Sequence, residues 1–172
     1  MNDRYSKSKG FSLIELLIVV VIIGIIAAIA IPNLLASRRA SNEASAVSSL
    51  RTLHSAQMAY HTTNGGGNFA GIAGTAGTSA LADLHAANLI DQVLLSGVKS
   101  GYSFLGDRTD TTAGPATFYV AANPSTPSGL QQTGTKRFGI ATDGVMKGDA
   151  TIANLATPFD FTTLPAAAPH GE

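Results

Sequence analysis

From Phe11 to Ile31 the chain is apolar at every position except Ser12 and Glu15, and the apolar residues fall on all sides of a helix rather than along one stripe. As a helix this run spans about 31 Å, close to the hydrocarbon thickness of a bilayer. An apolar surface all round suits contact with lipid, whereas a soluble amphipathic helix keeps one polar face. The pattern therefore predicts a membrane-spanning helix over 11–32. Beyond Pro32 the pattern changes. In "NLLASRRASNEASAVSSLRTLHSAQMAYHTTN", Val47, Leu50, Leu53 and Tyr60, with Ala46, fall on one helical face, and Ser48, Ser49, Arg51 and Ser55 lie largely elsewhere. One long helix is expected to begin in lipid and continue to about Tyr60 as the spine of a soluble domain. It should stop at "TTNGGGNFAGIAGTAGTS", where six glycines between Gly65 and Gly77 favour irregular structure.

Further along, Ser79 is placed to cap a short helix, "SALADLHAANLI", ending near Ile90. Strand patterns follow in "GYSFLG" (101–106), "ATFYVAAN" (116–123) and "RFGIATDGVMKG" (137–148), the last carrying Asp143-Gly144 as a two-residue hairpin turn. Three or four antiparallel strands packed on the exposed face of the long helix make the expected fold α+β. The tail 150–172, with Pro158, Pro165, Pro169 and a run of alanines, shows no clear element and reads as loosely ordered.

Composition narrows the functions open to such a chain. Eleven Lys and Arg balance eleven Asp and Glu across 172 residues, so no net charge points to nucleic acid or an anionic surface. Cysteine is absent, which removes disulfides, zinc-thiolate sites and cysteine nucleophiles. The glycine-rich stretch lacks the Lys and Ser/Thr of a P-loop and follows no strand. His54, His61, His85 and His170 have no metal-ligand spacing, although His54 and His61, seven apart, share a helical face. Asp143 and Asp149 flank the last hairpin. Two carboxylates outside a ligand-dense loop indicate turn chemistry more than a calcium site. No catalytic constellation and no cofactor is expected. The competing class is a membrane-anchored enzyme or binding module, which would need a polar site in the exported half.

Glu15 poses the main question. A carboxylate in hydrocarbon costs on the order of 2.5–3.5 kcal/mol at a helix centre, so it either reaches nearby headgroups or is paired. A cleaved secretory signal is disfavoured, because the apolar run exceeds a signal core and "IAAIA" leads into Ile31 and Pro32 rather than a polar start.

The stretch "KGFSLIELLIVVVIIGIIAAIAIP" resembles the N-terminus of type IV pilins and of type II secretion pseudopilins: a short basic leader ending in Gly10, then Phe11, then Glu15, then an unbroken apolar helix with Pro32 near its end. The resemblance covers roughly residues 7–60. It implies that a prepilin peptidase cuts between Gly10 and Phe11 and methylates the new amine of Phe11. It also implies that Glu15 meets the Phe11 amine of a neighbouring subunit in a helical filament, and that the stretch between Gly24 and Pro32, where Gly and Pro weaken helical bonding, is the part that unwinds on assembly. The expected division is a leader over 1–10, the membrane and filament-core half-helix over 11–32, a pilin-like globular domain over 33–149 and the tail. Expected partners are the peptidase, further pilin subunits, the assembly machinery of the inner membrane and, before assembly, membrane lipid; no nucleic acid is implied. Arg4, Lys7 and Lys9 against Arg38 and Arg39 place the N-terminus in the cytoplasm. The precursor is then single-pass in the inner membrane and the product a surface filament, or a periplasmic pseudopilus if the chain is a secretion pseudopilin. An electron-conducting role is not favoured, since Phe11 and Tyr60 are the only aromatics of the helical half.

Overall fold

A computed structural model describes residues 10–171. The first element is helix α1, Leu13–Thr63. The chain divides into two compact units at Ser37, the first ending there and the second running from Arg38.

In the first unit α1 exposes every large hydrophobic side chain from Leu13 to Leu34. That stretch is long and apolar enough to cross a membrane by length and composition. Gly24 and Pro32, expected to weaken the helix, do not interrupt it in the single chain. Pro32 has no N–H to offer the carbonyl four residues earlier. Asn33 Nδ2 donates to the Ile29 carbonyl at 3.1 Å, a side-chain bond laid across that weakened turn.

The second unit is built around a five-stranded antiparallel sheet in simple sequential order. Its strands are β1 (Val98–Lys99), β2 (Tyr102–Arg108), β3 (Phe118–Pro124), β4 (Arg137–Ala141) and β5 (Met146–Asp149). This is the expected α+β class. Phe104, Phe118, Val120, Ala122, Phe138 and Ile140 share one core with Ala46, Val47, Leu50 and Leu53 of α1. The predicted helical face is therefore the packed one, with Ala56 and two polar residues added. Ser49, assigned by periodicity to the outer side, is 2% exposed, and Gln57 is 1% exposed. Gln57 has a job there: its Oε1 accepts from Ala70 N at 2.8 Å and its Nε2 donates to Ala70 O at 3.2 Å, tying the glycine-rich loop to the helix.

Helix α2 covers Ser79–Ala86 and stops short of Ile90, and its N-cap is Thr78 rather than Ser79. Asn88, at φ 58, turns the chain out of the helix. A second short helix, α3 (Gln92–Leu95), follows and is capped by Asp91, whose side chain accepts from Leu94 N at 2.9 Å. Asp143-Gly144 is also not a two-residue hairpin. Four residues, Thr142–Val145, join β4 to β5. The turn closes through Gly144 N to Ala141 O at 2.9 Å, with Gly144 at φ +72 and Asp143 Oδ1 accepting from Val145 N.

The largest departure lies in the tail. Residues 150–171 hold a 3-10 turn (Ile152–Asn154) and a short helix, α4 (Thr163–Ala166), and they bury Leu155, Phe159 and Leu164. Phe159 and Leu164 pack with Tyr119 and Ala121, which point to the opposite side of β3 from the α1 core. Both faces of the central strand are thus covered, which is why all seven residues of β3 are buried. The tail also continues past the outer edge of β5: Gly148 N donates to Ala168 O at 3.1 Å and His170 N to Met146 O at 2.8 Å. An open sheet edge is closed in this way.

Tyr102 shows how tightly the core is fitted. Its hydroxyl donates to Lys136 O at 2.7 Å, and burial, with the nearby charge of Glu43, pushes its pKa up. A Cβ at Gly134 would lie 1.9 Å from the Tyr102 hydroxyl. Gly134→Ala is therefore expected to destabilise the domain by about 1–3 kcal/mol, as overpacking does. Thermal unfolding checks this, and an unchanged midpoint would show that the ring has room to move.

Candidate functional site: the N-terminal methylation segment

Gly10, Phe11 and Ser12 precede the first helical residue, Leu13, and Phe11 is 84% exposed. Glu15 stands at the third helical position. Its Oε2 accepts from the backbone N–H of Ser12 at 2.8 Å. The first N–H groups of a helix have no intrahelical partner, and a Glu three residues after a Ser is the spacing that satisfies one of them by reaching back. The negative charge also lies against the positive end of the helix dipole. Glu15 is therefore held at the helix start rather than extended along the helix. Ser12 is the residue that sequence reasoning passed over, counting it only as a polar interruption. The readable signal was the Ser-x-x-Glu spacing in "SLIE".

This geometry leaves a carboxylate one residue from the Phe11 nitrogen. In this chain that nitrogen is a neutral backbone amide.

The other residues considered for chemistry are accounted for structurally. His54 lies on Phe118 with ring centroids 5.5 Å apart, His61 stacks on Phe69 at 4.6 Å, and Phe69 meets Phe118 at 4.6 Å. The two histidines do share a helical face, but two phenylalanines stand between them, so they complete an aromatic row. His170 meets Phe138 edge-on at 5.0 Å. His85 lies in the last turn of α2. Among the described residues no group of three or more His, Cys, Asp or Glu could hold a metal ion.

Asp143 is engaged in its turn, and Asp149 in an ion pair. Asp149 Oδ2 accepts from Arg137 Nη2 at 2.9 Å and Nε at 3.1 Å and from Asn154 Nδ2 at 2.9 Å, while its Oδ1 accepts from Thr151 N at 2.8 Å. Burial pushes the Asp149 pKa up, but the bonds from Thr151, Asn154 and Arg137 outweigh it and hold the carboxyl well below its usual range. The guanidinium of Arg137 supplies the positive charge at this position. It also donates to Thr157 O at 2.8 Å and lies 4.0 Å from the Phe159 ring centroid.

Comparison with known proteins bears on the N-terminal segment. Residues 5–31 match the family model described as the prokaryotic N-terminal methylation motif. The chain is 48% identical over 54 residues to the type IV major pilin protein PilA of Myxococcus xanthus, covering 31% of this chain and 24% of that protein. It is 62% identical over 37 residues to the type IV wide pilus major component PilA4 of Thermus thermophilus, covering 22% of this chain and 28% of that protein. It is also 36% identical over 58 residues to the type II secretion system core protein G of Escherichia coli, covering 34% of this chain and 40% of that protein. The chain thus spans between about a quarter and two fifths of the length of these relatives. No solved structure matches it. The N-terminal segment is of the type shared by type IV pilins and type II secretion pseudopilins, and it is joined to a unit of the α+β class.

Proposed function

We propose that this chain is a structural subunit of a type IV pilus-like filament, made as a membrane-anchored precursor, trimmed by a prepilin peptidase and polymerised through its apolar N-terminal helix. The observation that carries the reading is the pairing of two features in one segment: a stretch of α1, from Leu13 to Leu34, that exposes its large hydrophobic side chains, and a carboxylate bound at its start. Among the described residues nothing covers that stretch. Lipid covers it before assembly and the helices of other subunits cover it afterwards. Cleavage falls between Gly10 and Phe11, methylation on Phe11, and the Phe11 amine of one subunit pairs with Glu15 of another. A charge in an apolar surround is tolerated when it is paired, and the amine created by cleavage is the cation available at that depth. Gly24 and Pro32 mark the stretch of helix that gives way on assembly. The leader occupies 1–10, its three basic residues remain cytoplasmic, and the globular part is exported. Its partners are the peptidase, other subunits and the inner-membrane assembly machinery.

A second reading, a pseudopilin of a type II secretion system, is favoured by the match to core protein G. The higher identities to the two pilus components, 48% and 62%, support the pilin reading first. Mass spectrometry of the N-terminal peptide from assembled material tests the shared part of both. The expected peptide starts at Phe11 and carries a methyl group on its amine. A peptide beginning at Met1 in assembled material would overturn the processing scheme.

A further inference from the structure

Charge in the second unit is segregated. Beyond Ser37 the chain has eight basic and nine acidic residues. Four of the basic ones, Arg38, Arg39, Lys99 and Lys136, lie on the first soluble turns of α1 or next in sequence to residues bonded to them, as does the acidic Glu43. The structure shows how they are gathered. Arg39 Nε donates to Gln132 O at 3.3 Å, Asn42 Nδ2 donates to Thr133 O at 2.9 Å, and Glu43 Oε1 accepts from Thr135 N and Oγ1. Three side chains spaced i, i+3 and i+4 thus fasten the loop between β3 and β4 onto one face of the helix. Lys136 ends that loop. Ser100 Oγ, next to Lys99, is bonded by Ser45 Oγ at 3.0 Å. Glu43 is occupied by Thr135, and none of the four cations forms an ion pair among the described residues.

The same loop carries Leu130, 84% exposed beside Gly129. A single exposed leucine is ordinary on a protein surface. This one stands on a loop that the helix fastens by three side chains, and the loop ends in Lys136. Arg38 follows Ile31, the last residue of the apolar run, by seven positions, about 10 Å along a helix, which is within reach of the headgroup layer when that run is in lipid.

We propose that this end of the globular domain is a lipid-docking face. Arg38, Arg39, Lys99 and Lys136 meet anionic headgroups, and Leu130 enters the boundary between headgroups and acyl chains while the subunit waits in the membrane. An apolar residue flanked by cations is the composition that binds an anionic bilayer surface. Such docking holds the globular domain against the bilayer, and extraction into a filament must release it. The inference rests on the membrane-anchored precursor proposed above.

The chain contains no tryptophan, so one introduced residue reports alone. Full-length protein is placed in nanodiscs of phosphatidylcholine and phosphatidylglycerol, carrying either Leu130→Trp or Ile152→Trp. Ile152 is 78% exposed and lies on the 3-10 turn of the tail, outside the loop that α1 fastens. Expected is blue-shifted emission at position 130, quenched by lipids brominated near the headgroup end of the acyl chain, and solvent-like, unquenched emission at position 152. The quenching at 130 should weaken when phosphatidylglycerol is omitted and when Arg38→Gln is combined with Lys136→Gln. Solvent-like emission at both positions in chain that co-elutes with the discs overturns the docking face and leaves the membrane anchor standing. Failure of the chain to enter the discs overturns the anchor as well. Quenching indifferent to anionic lipid removes the role of the cations. Shielding of position 130 that arises only in assembled filaments assigns the face to a second copy of the chain instead.

Discussion

A fragment over residues 38–172 is expected to fold, and the same fragment ending at Asp149 is expected to be largely unfolded at room temperature. The second unit has its own core on both faces of its sheet, so the first part of this expectation asks only that the core suffice without the lipid-facing half of α1. Losing the tail removes Leu155, Phe159 and Leu164, each fully buried. At about 1.5–3 kcal/mol for each such side chain, the loss is comparable with the whole stability of a small domain, about 5–15 kcal/mol. Truncation also strands polar groups. Arg137 loses the Thr157 carbonyl and the Phe159 ring, and Asn123 Nδ2 loses its two acceptors, Leu155 O and Thr157 O. Breaking only the ion pair with Asp149→Asn should be milder but still severe, on the order of 3–5 kcal/mol, because it leaves a buried guanidinium without its carboxylate. Circular dichroism with thermal unfolding reads all three proteins. If the fragment 38–149 melts within a few degrees of 38–172, the tail is an ornament and not part of the core.

Glu15→Gln should leave processing and membrane insertion intact and abolish filaments. Gln is close to Glu in shape and can still accept from the Ser12 N–H, so the helix start survives the exchange. Removing a charge from lipid lowers the cost of insertion. On the proposed pairing, what disappears is the partner for the Phe11 amine of the next subunit, and an unpaired ammonium in an apolar filament core costs several kcal/mol at every subunit contact. Processed subunits should accumulate in the membrane, and co-expression with the unmodified chain should shorten or reduce filaments. The readout is the amount of filament in sheared surface fractions set against processed subunit in membranes. Normal filament yield from the mutant alone would reduce Glu15 to a helix-capping residue. Ser12→Pro, which removes the bonded N–H and keeps the carboxylate, separates the two roles: if only the charge matters, filaments persist.

The two halves of the molecule differed in how far they could be read. The spanning helix and its motif are properties of consecutive residues, so composition and spacing suffice to see them. The α1 core face was equally plain, since Ala46, Val47, Leu50 and Leu53 repeat at helical intervals. Ser49 was misplaced because periodicity sorts residues by type, and a serine is small enough to sit inside where the packing leaves room. Strands β2 to β5 were legible in outline and the two-residue β1 was not, and the strand ends were misread: the Asp143-Gly144 pair belongs to a longer connection whose length is set by the pairing of Ile140 with Met146. The tail gave no signal because its buried residues, Leu155, Phe159 and Leu164, are isolated among alanines and prolines and follow no period.

The sequence by itself determined the apolar helix, its N-terminal motif and the α+β class, because each depends on neighbours within a few residues along the chain. Only the tertiary structure decided that residues 150–171 contribute to the core, that Asp149 pairs with Arg137, and that the loop between β3 and β4 is fastened to the first soluble turns of α1. Those outcomes depend on contacts across the sheet and between loop and helix, such as Asn42 with Thr133 or Asn123 with Leu155, and local pattern carries no information about which distant partner completes a buried polar group.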